Sequence, residues 1–240
     1  MVYLTPKKKP MNIKIVCFDA DDTLWVNEPN YRETERKFAE LLSEYLPAED
    51  VINELYKVEM QNLSTLGYGA KAFIISMIDT AIKISGNNIS SNIVNEIILL
   101  GKQLINKPLE LLDGVEETLT ELFGKYKLVL ATKGDLLDQE RKINNSGLKK
   151  YFSHIEIMSN KKEEDYQNLW KKLKIAPNNF LMIGNSMKSD ILPVLNAGAY
   201  AIYVPCDTNW VHEIVDFEVP ESDFFRKISQ IKDIITQQML

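Results

Sequence analysis

Two acidic residues, Asp19 and Asp21, stand two positions apart where an apolar run ends. Carboxylates at this spacing can face one pocket once the backbone turns, and their oxygens suit a hard cation such as Mg²⁺. One carboxylate can also attack phosphorus as a nucleophile, while its neighbour protonates the leaving oxygen and then activates water. The pair alone favours a simpler interpretation, in which acidic loop residues cap the next helix or face solvent.

A threonine and three lysines follow later apolar runs. Thr132 comes directly after one of these runs, and Lys133 is the next residue. A hydroxyl and free backbone N–H groups at a strand end can donate to a phosphoryl oxygen, although a threonine there is more often a turn or cap residue. Lys161 and Lys162 follow another run. Either ammonium could neutralise both a phosphate and its nucleophile, although a charged pair before a helix usually faces solvent.

A fourth apolar run is followed by Asn185 and Asp190, which offer oxygen ligands where a cation would lie. Alternatively, Ser186 or Ser189 in this segment simply caps a helix. Each of the four signals is weak or moderate by itself. Together they indicate phosphoryl transfer, because they supply in chain order the nucleophile, hydrogen-bond donor, cation and metal ligands that this reaction requires.

The elements that must position these groups are five short apolar runs. Each is about 4–8 residues long and mostly lacks strict alternation, which predicts parallel strands covered on both faces. The runs are 14–18, 127–131, 154–158, 180–183 and 201–204. Helical patterns between the later runs predict a doubly wound α/β fold with a parallel sheet. Such sheets bind ligands at the carboxyl ends of their strands, which is where the polar groups fall.

One long segment interrupts the alternation of strand and helix. Between about residues 31 and 105 the sequence shows successive helical patterns and no convincing strand. We therefore predict a helical cap domain at 29–106, inserted into an α/β catalytic core formed by 1–28 and 107–240. Residues 1–11 are expected to be a loose N-terminal extension of that core.

Apolar spacing predicts two further helices of the core. One presents Val115, Leu119, Leu122 and Phe123 on a single face and ends near Gly124. The other is an amphipathic helix that begins near Ser222 and closes the chain. Its apolar positions are Phe224, Phe225, Ile228, Ile231, Ile234 and Ile235.

Composition excludes several function classes. The 240-residue chain has a net charge of −6, which gives no basic face for nucleic acid or for a membrane surface. No apolar run reaches the roughly 18 residues that a spanning helix needs. The two cysteines, Cys17 and Cys206, indicate neither a disulfide framework nor a metal pair. We expect a soluble cytoplasmic protein that acts on a small molecule; its oligomeric state is not readable from the sequence.

The sequence resembles the haloacid dehalogenase-like hydrolase superfamily across the whole chain from Asn12. The Asp-x-Asp-x-Thr motif of that family is similar to Asp19–Thr23 after an apolar strand. Its Thr or Ser at a strand end matches Thr132, its Lys before a helix matches Lys161 best, with Lys162 as the alternate, and its Gly-Asp-x-x-x-x-Asp motif is similar to 184–190. The first and fourth motifs together are specific for the superfamily, but they do not specify a substrate.

The resemblance implies a role for each site residue. Asp19 would be the nucleophile that forms an aspartyl phosphate, Asp21 the general acid/base that favours the phosphatase branch, and Mg²⁺ the cofactor. Phosphate would be bound by Ala20, Thr132, Lys133 and Lys161. The metal would be held by Asp19, Asp21, Asn185 and Asp190. Asn185 departs from the family pattern, since an aspartate is usual there, and the amide removes one negative charge from the metal site.

Hydrolysis of a small phosphorylated metabolite is the function that these features favour. A phosphotransferase or mutase would use the same groups and pass the phosphoryl group to another alcohol. A binding or regulatory protein on an inactive scaffold is a third possibility, which Asn185 encourages. Trp25, Tyr31, Arg32 and the loop 67–71 could reach the leaving group, although residues of these types are more often packing or surface residues.

Overall fold

The computed structural model describes residues 12–206, 217, 219–220 and 222–237. Its strands are β1 (Ile15–Phe18), β2 (Lys127–Lys133), β3 (His154–Met158), β4 (Phe180–Gly184), β5 (Tyr200–Tyr203) and β6 (Phe225–Lys227). They form one parallel sheet in the order β3-β2-β1-β4-β5-β6. The predicted fold class, a doubly wound parallel α/β sheet, is confirmed. The extension predicted at 1–11 lies outside the described residues.

Nine α-helices accompany the strands in the described part of the chain. They are α1 (Glu28–Leu41), α2 (Ala48–Leu66), α3 (Ala70–Ile84), α4 (Ser91–Ile105), α5 (Val115–Leu122), α6 (Leu136–Asn145), α7 (Glu163–Leu173), α8 (Leu192–Asn196) and α9 (Asp233–Thr236). A π-helical turn, Met187–Ile191, precedes α8. None of these helices is long and apolar enough to cross a membrane.

Strand β1 lies inside the sheet between β2 and β4 and has apolar neighbours on both faces. Val16 and Phe18 pack into a cluster with residues of α5, and Ile15 and Cys17 pack on the opposite face with residues of α7. All four side chains are buried. Because both faces are covered, every position is apolar, as is typical of a central parallel strand. The chain therefore leaves the core at Asp19, at the carboxyl edge of the sheet.

Helices α1–α4 occupy the interval between β1 and β2 and have a hydrophobic cluster of their own. Its buried centre includes Phe38, Leu55, Met77 and Ile97. No strand occurs among residues 29–106, as the sequence predicts. The assignment of this segment as a cap domain that moves over the site stays a prediction.

Two details of the sequence prediction are wrong. The closing segment is a strand at β6 followed by the short helix α9, and not one helix that begins near Ser222. Strand β6 pairs in parallel with the open edge of β5 (Tyr200–Tyr203). Phe225 and Ile228 are buried by this pairing. The apolar spacing suits that strand and turn as well as a helix. Phe123 is 56% exposed, because the chain is already extended where α5 ends.

Candidate active site

A cavity lies between the carboxyl edge of the sheet and helices α1–α3. The sequence-predicted residues that line it are Asp19, Asp21, Thr132, Lys133, Lys161, Asn185 and Asp190. They come from the ends of β1, β2 and β4 and from the segment after β3, so four separate parts of the sequence meet in one place. Ala20 is fully buried in the core and does not line the cavity.

Lys161 is the lysine that reaches the centre of the site. Its Nζ donates to Asp19 Oδ1 and, over 2.7 Å, to Asp190 Oδ1. Its side chain is 1% exposed. Lys162, in contrast, is exposed and is the N-cap residue that precedes helix α7. The geometry therefore settles which of the two sequence alternatives faces the cavity.

Asp190 holds Lys161 in position. Its second oxygen, Oδ2, accepts a hydrogen bond from the Ser186 backbone N–H over 3.0 Å. Gly184 makes this arrangement possible, because a Cβ at that position would lie 2.6 Å from the Asp190 Cβ. Both oxygens of Asp190 are thus engaged by protein groups. A metal role for Asp190, direct or through water, stays a prediction.

The charges around Asp19 do not cancel. Burial and the neighbouring Asp190 carboxylate raise the pKa of Asp19 to about 7, against the Lys161 ammonium, which lowers it. Burial lowers the pKa of Lys161, but the two carboxylates outweigh burial and hold its pKa above the usual value. Two carboxylates thus share one ammonium, which leaves an excess negative charge beside the proposed nucleophile.

The Asp21 side chain is held by three donors. Trp25 Nε1 donates to its Oδ1 over 2.6 Å, Gln139 Nε2 donates to its Oδ2 over 2.8 Å, and Lys142 Nζ lies 3.0 Å from Oδ1. Burial raises the pKa of Asp21, but the Lys142 charge and these hydrogen bonds outweigh it and hold the pKa below its usual value. Asp21 is therefore ionised in this arrangement, in the form that accepts a proton.

Thr132 and Lys133 end β2, since the strand continues two residues beyond the predicted boundary. Thr132 is 1% exposed and lines the cavity, and its hydroxyl makes no hydrogen bond to any residue that the structure describes. It is available to a ligand. The Lys133 ammonium donates to Ser189 Oγ over 2.8 Å and lies 4.4 Å from the centre of the Tyr68 ring.

Asn185 lies where oxygens converge. One terminal atom of its amide is 3.2 Å from Asp19 Oδ2 and 3.2 Å from the Asp21 carbonyl oxygen. If that atom is nitrogen, it donates to both oxygens. If it is oxygen, it accepts a hydrogen bond from the Thr23 hydroxyl over 3.3 Å and joins a cluster of three oxygens that a cation would stabilise.

The donor set fits Mg²⁺. This ion prefers oxygen ligands and commonly uses one or two carboxylates beside neutral oxygens and water. The Asp19 carboxylate, the Asp21 carbonyl and the Asn185 amide meet that preference. The described residues contain no cluster of three or more His, Cys, Asp or Glu side chains suited to a metal. A metal held by these described residues would therefore combine the Asp19 carboxylate with carbonyl and amide oxygens.

The simpler interpretation of the acidic loop is correct for one of its members. Asp22 adopts a left-handed backbone conformation with φ 59°. Its carboxylate accepts the backbone N–H groups of Asn27 and Glu28 over 2.9–3.0 Å, so it caps the start of α1. Burial raises the pKa of Asp22 to about 6, against these hydrogen bonds, which lower it.

Residues of helices α1–α3 complete the cavity. Of the residues predicted to reach a leaving group, Tyr31, Gly67, Tyr68 and Gly69 line it, whereas Trp25 instead holds Asp21. Gly69 approaches the core closely, since a Cβ on it would lie 3.0 Å from the Asp135 nitrogen. Lys71 pairs with the Asp135 carboxylate across the same gap over 3.0 Å.

The sequence did not predict the residues that contact Asp21 and hold its side chain in place. Gln139 and Lys142 lie one turn apart on helix α6, and only the fold brings that helix to Asp21. Their spacing of three positions marks a shared helix face, which is the one signal available in the sequence. Three glutamates of α1 and α2 that line the cavity were also missed.

One class of hydrolases has an open parallel α/β sheet that gathers a carboxylate, a hydroxyl and a lysine at its carboxyl edge, as this structure does. The chain belongs to the haloacid dehalogenase-like hydrolase family, whose model matches residues 13–198. The predicted family is therefore confirmed.

Two solved structures illustrate the likeness. A haloacid dehalogenase-like family hydrolase from Xanthomonas campestris is 36% identical, with a TM-score of 0.84 over 95% of this chain and 91% of that one. A HAD-hydrolase from Bacillus subtilis, bound to magnesium, is 15% identical, with a TM-score of 0.66 over 95% of this chain and all (100%) of that one. At that identity, the second likeness shows the fold alone.

Curated relatives match a shorter segment. The N-acylneuraminate-9-phosphatase of Mus musculus is 30% identical over 126 residues, which is 50% of this chain and 48% of the relative. The enzyme of the same name from Homo sapiens is 26% identical over 133 residues, 53% of this chain and 51% of the relative. The match thus spans about half the length of these relatives.

Proposed function

We propose that the protein is a magnesium-dependent phosphohydrolase that acts on a small phosphate monoester through an aspartyl phosphate on Asp19. The observation that carries this proposal is the meeting of Asp19, Thr132, Lys161 and Asn185 in one cavity at the carboxyl edge of the sheet. These four groups supply the nucleophile, two phosphate-binding donors and a metal ligand, as phosphoryl transfer requires. The phosphatase names of the curated relatives agree with it.

In the first step, an oxygen of Asp19 attacks phosphorus and the bond to the leaving alcohol oxygen breaks. Lys161 donates to an equatorial phosphoryl oxygen, and the free Thr132 hydroxyl donates to another, so both stabilise the charge of the transition state. Mg²⁺, when bound by Asp19, Asp21 and Asn185, supplies positive charge that screens the phosphate from the nucleophile. Ala20 would contribute only through its backbone, because its side chain is in the core.

Asp21 moves protons in both steps. In the second step, it takes a proton from water, which attacks phosphorus and releases Asp19. The ionised form held by Lys142 is suited to that step. In the first step, the protonated form of Asp21 gives its proton to the leaving oxygen, and the contact with Lys142 opposes that form. We therefore expect that contact to weaken when substrate is bound.

The test uses the isosteric variant Asp19→Asn with an aryl phosphate and a panel of phosphorylated metabolites. Wild type should hydrolyse at least one ester, lose that activity with a chelator and regain it with Mg²⁺. Acid quenching with ³²P-labelled substrate should leave label on wild type and none on Asp19→Asn. Asp79→Asn, an exposed change on α3, should behave as wild type.

Turnover by Asp19→Asn, with deamidation excluded, would refute the assignment of the nucleophile. Labelled protein that passes its phosphoryl group to an added alcohol faster than to water would instead identify a transferase that uses the same groups. Product analysis by phosphorus NMR distinguishes these outcomes.

A further inference from the structure

The side of the cavity that faces away from the sheet carries three carboxyl groups. Glu28 and Glu35 belong to α1 and Glu59 belongs to α2, and all three line the cavity. We call this set the acidic wall. Glu28 and Glu35 are each 7% exposed, and Glu59 is half-buried. Carboxyl groups are costly to bury unless they are paired, so their partners decide what the wall can do.

Among the described residues, one cation lies within ion-pair distance of the acidic wall. Arg32 Nη1 donates to Glu35 Oε2 over 3.0 Å, and Arg32 Nε lies 3.0 Å from Glu28 Oε1. The second contact is an ion pair without a hydrogen bond, because the N–H does not point at the oxygen. Glu28 Oε1 is therefore buried with no hydrogen-bond donor among the residues that the structure describes.

Glu59 has still less support. It makes no hydrogen bond or ion pair with any described residue. Burial and the charge of Glu35 raise its pKa to about 8, against Arg32, which lowers it. Burial likewise raises the pKa of Glu28 to about 8, against Arg32. One guanidinium thus faces three carboxyl groups, and without a further cation part of the acidic wall stays protonated.

The opposite side of the cavity carries ammonium groups as well as carboxylates. It carries Lys133, Lys142 and Lys161, which contact Ser189, Asp21 and the Asp19–Asp190 pair respectively. None of these ammonium groups contacts the acidic wall. Among the described residues, the cavity therefore offers three ammonium groups where a phosphate would bind, but one guanidinium beside three carboxyl groups where the leaving group would lie.

We propose that the acidic wall binds a protonated amine of the leaving group, so that the substrates are phosphate monoesters of amino alcohols. This inference rests on the proposed function for the position of the phosphate. An ammonium group has three donors and no acceptor, and it can serve Glu28 Oε1 and Glu59 together. A hydroxyl would supply one donor and no positive charge, so it would not favour ionisation of Glu28 and Glu59 as an ammonium does. Charge-assisted bonds are also about twice as strong as neutral ones.

Two homologous series of compounds test this inference, ω-aminoalkyl phosphates and ω-hydroxyalkyl phosphates of matched and increasing chain length. At the best length, the amino ester should exceed the hydroxy ester in kcat/KM by roughly tenfold or more. Glu59→Gln keeps the shape and removes the charge, and it should lower that ratio by roughly ten- to a hundredfold, mainly through KM. Glu96→Gln, an exposed change on α4, is the matched control.

Equal kcat/KM for the two series at every length would overturn the inference. So would an unchanged ratio in a Glu59→Gln protein that is folded by circular dichroism. Calorimetry with the corresponding non-hydrolysable alkyl phosphonates separates binding from chemistry. Tighter binding of the amino phosphonate without turnover of any ester, aryl phosphate included, would support the acidic wall and refute the proposed function. Hydrolysis without amine preference would do the opposite.

Discussion

Replacement of Glu59 by glutamine should make the stability of the protein less dependent on pH. The carboxyl is half-buried, has no partner among the described residues and is repelled by Glu35. Its pKa is about 8 in the folded protein, against an ordinary value of 4.5. In the unfolded chain the ordinary value applies, so the two states bind protons differently between pH 4.5 and pH 8.

The direction of this pH dependence follows from which state, folded or unfolded, releases the proton at the lower pH. Below pH 4.5 the carboxyl is protonated in both states and contributes no pH dependence. As the pH rises, the unfolded chain releases its proton while the folded protein keeps it, so the free energy of unfolding falls. Above about pH 8 both states are ionised and the loss is complete. The glutamine variant lacks this loss, and its advantage over wild type should grow between these limits.

The magnitude comes from the size of the shift. A change of about 3.5 units corresponds to at most about 4.8 kcal/mol, at about 1.36 kcal/mol per unit. Partial exposure and screening reduce this, so we expect Glu59→Gln to gain about 1–3 kcal/mol on wild type from pH 5 to pH 9. For a chain of this size, that corresponds to roughly 2–12 °C in the unfolding midpoint.

Urea unfolding followed by circular dichroism at several pH values measures this difference directly. Glu96→Gln should show no such trend, because that side chain is exposed on α4. A difference between Glu59→Gln and wild type that stays constant from pH 5 to pH 9 would refute the reasoning. Arg32 and Glu28 face the same region, and their charges remain in both proteins.

Three further substitutions have defined outcomes. Gly101→Ala places a Cβ against the Ile74 side chain, so it should lower the free energy of unfolding by about 1–3 kcal/mol in urea. The same change should cost less in an Ile74→Ala background, because the overlapping side chain is then removed. Gly184→Ala overlaps Asp190, so the specific activity should fall sharply while the far-ultraviolet spectrum is kept. Lys161→Met leaves two carboxylates without their ammonium, so turnover should be lost and thermal unfolding should show a cost of about 3–5 kcal/mol.

The sequence predicted the fold correctly where a local residue pattern corresponded to a single strand or helix. The buried strands have nearly the predicted bounds, because a strand covered on both faces must be apolar at every position. Thr132 and Lys161 face the cavity as predicted, since the carboxyl ends of parallel strands meet at one edge. The edge strand β6 was missed, because its pairing depends on Tyr200–Tyr203, which is distant in sequence.

The contacts that modify the site could not be predicted from local patterns. Asp21 and Asp22 are adjacent and chemically identical, yet one faces Lys142 and the other caps α1. Their roles differ because Asp22 takes a left-handed conformation that turns its carboxylate toward the backbone of Glu28. Such a difference is decided by the turn that the fold imposes.

Charge balance explains why an asparagine is compatible with phosphate chemistry in this cavity. Asp21 is neutralised by Lys142, whereas Asp19 and Asp190 share Lys161, so one excess negative charge remains at Asp19, the proposed nucleophile. An aspartate at position 185 would add a second excess charge directly beside Asp19 Oδ2. The amide of Asn185 presents an oxygen or a donor there without that repulsion. A single divalent cation would then more than offset the remaining charge and leave the site net positive. A net positive site would favour the approach of a phosphate dianion to Asp19, because without the cation the dianion and the carboxylate repel each other.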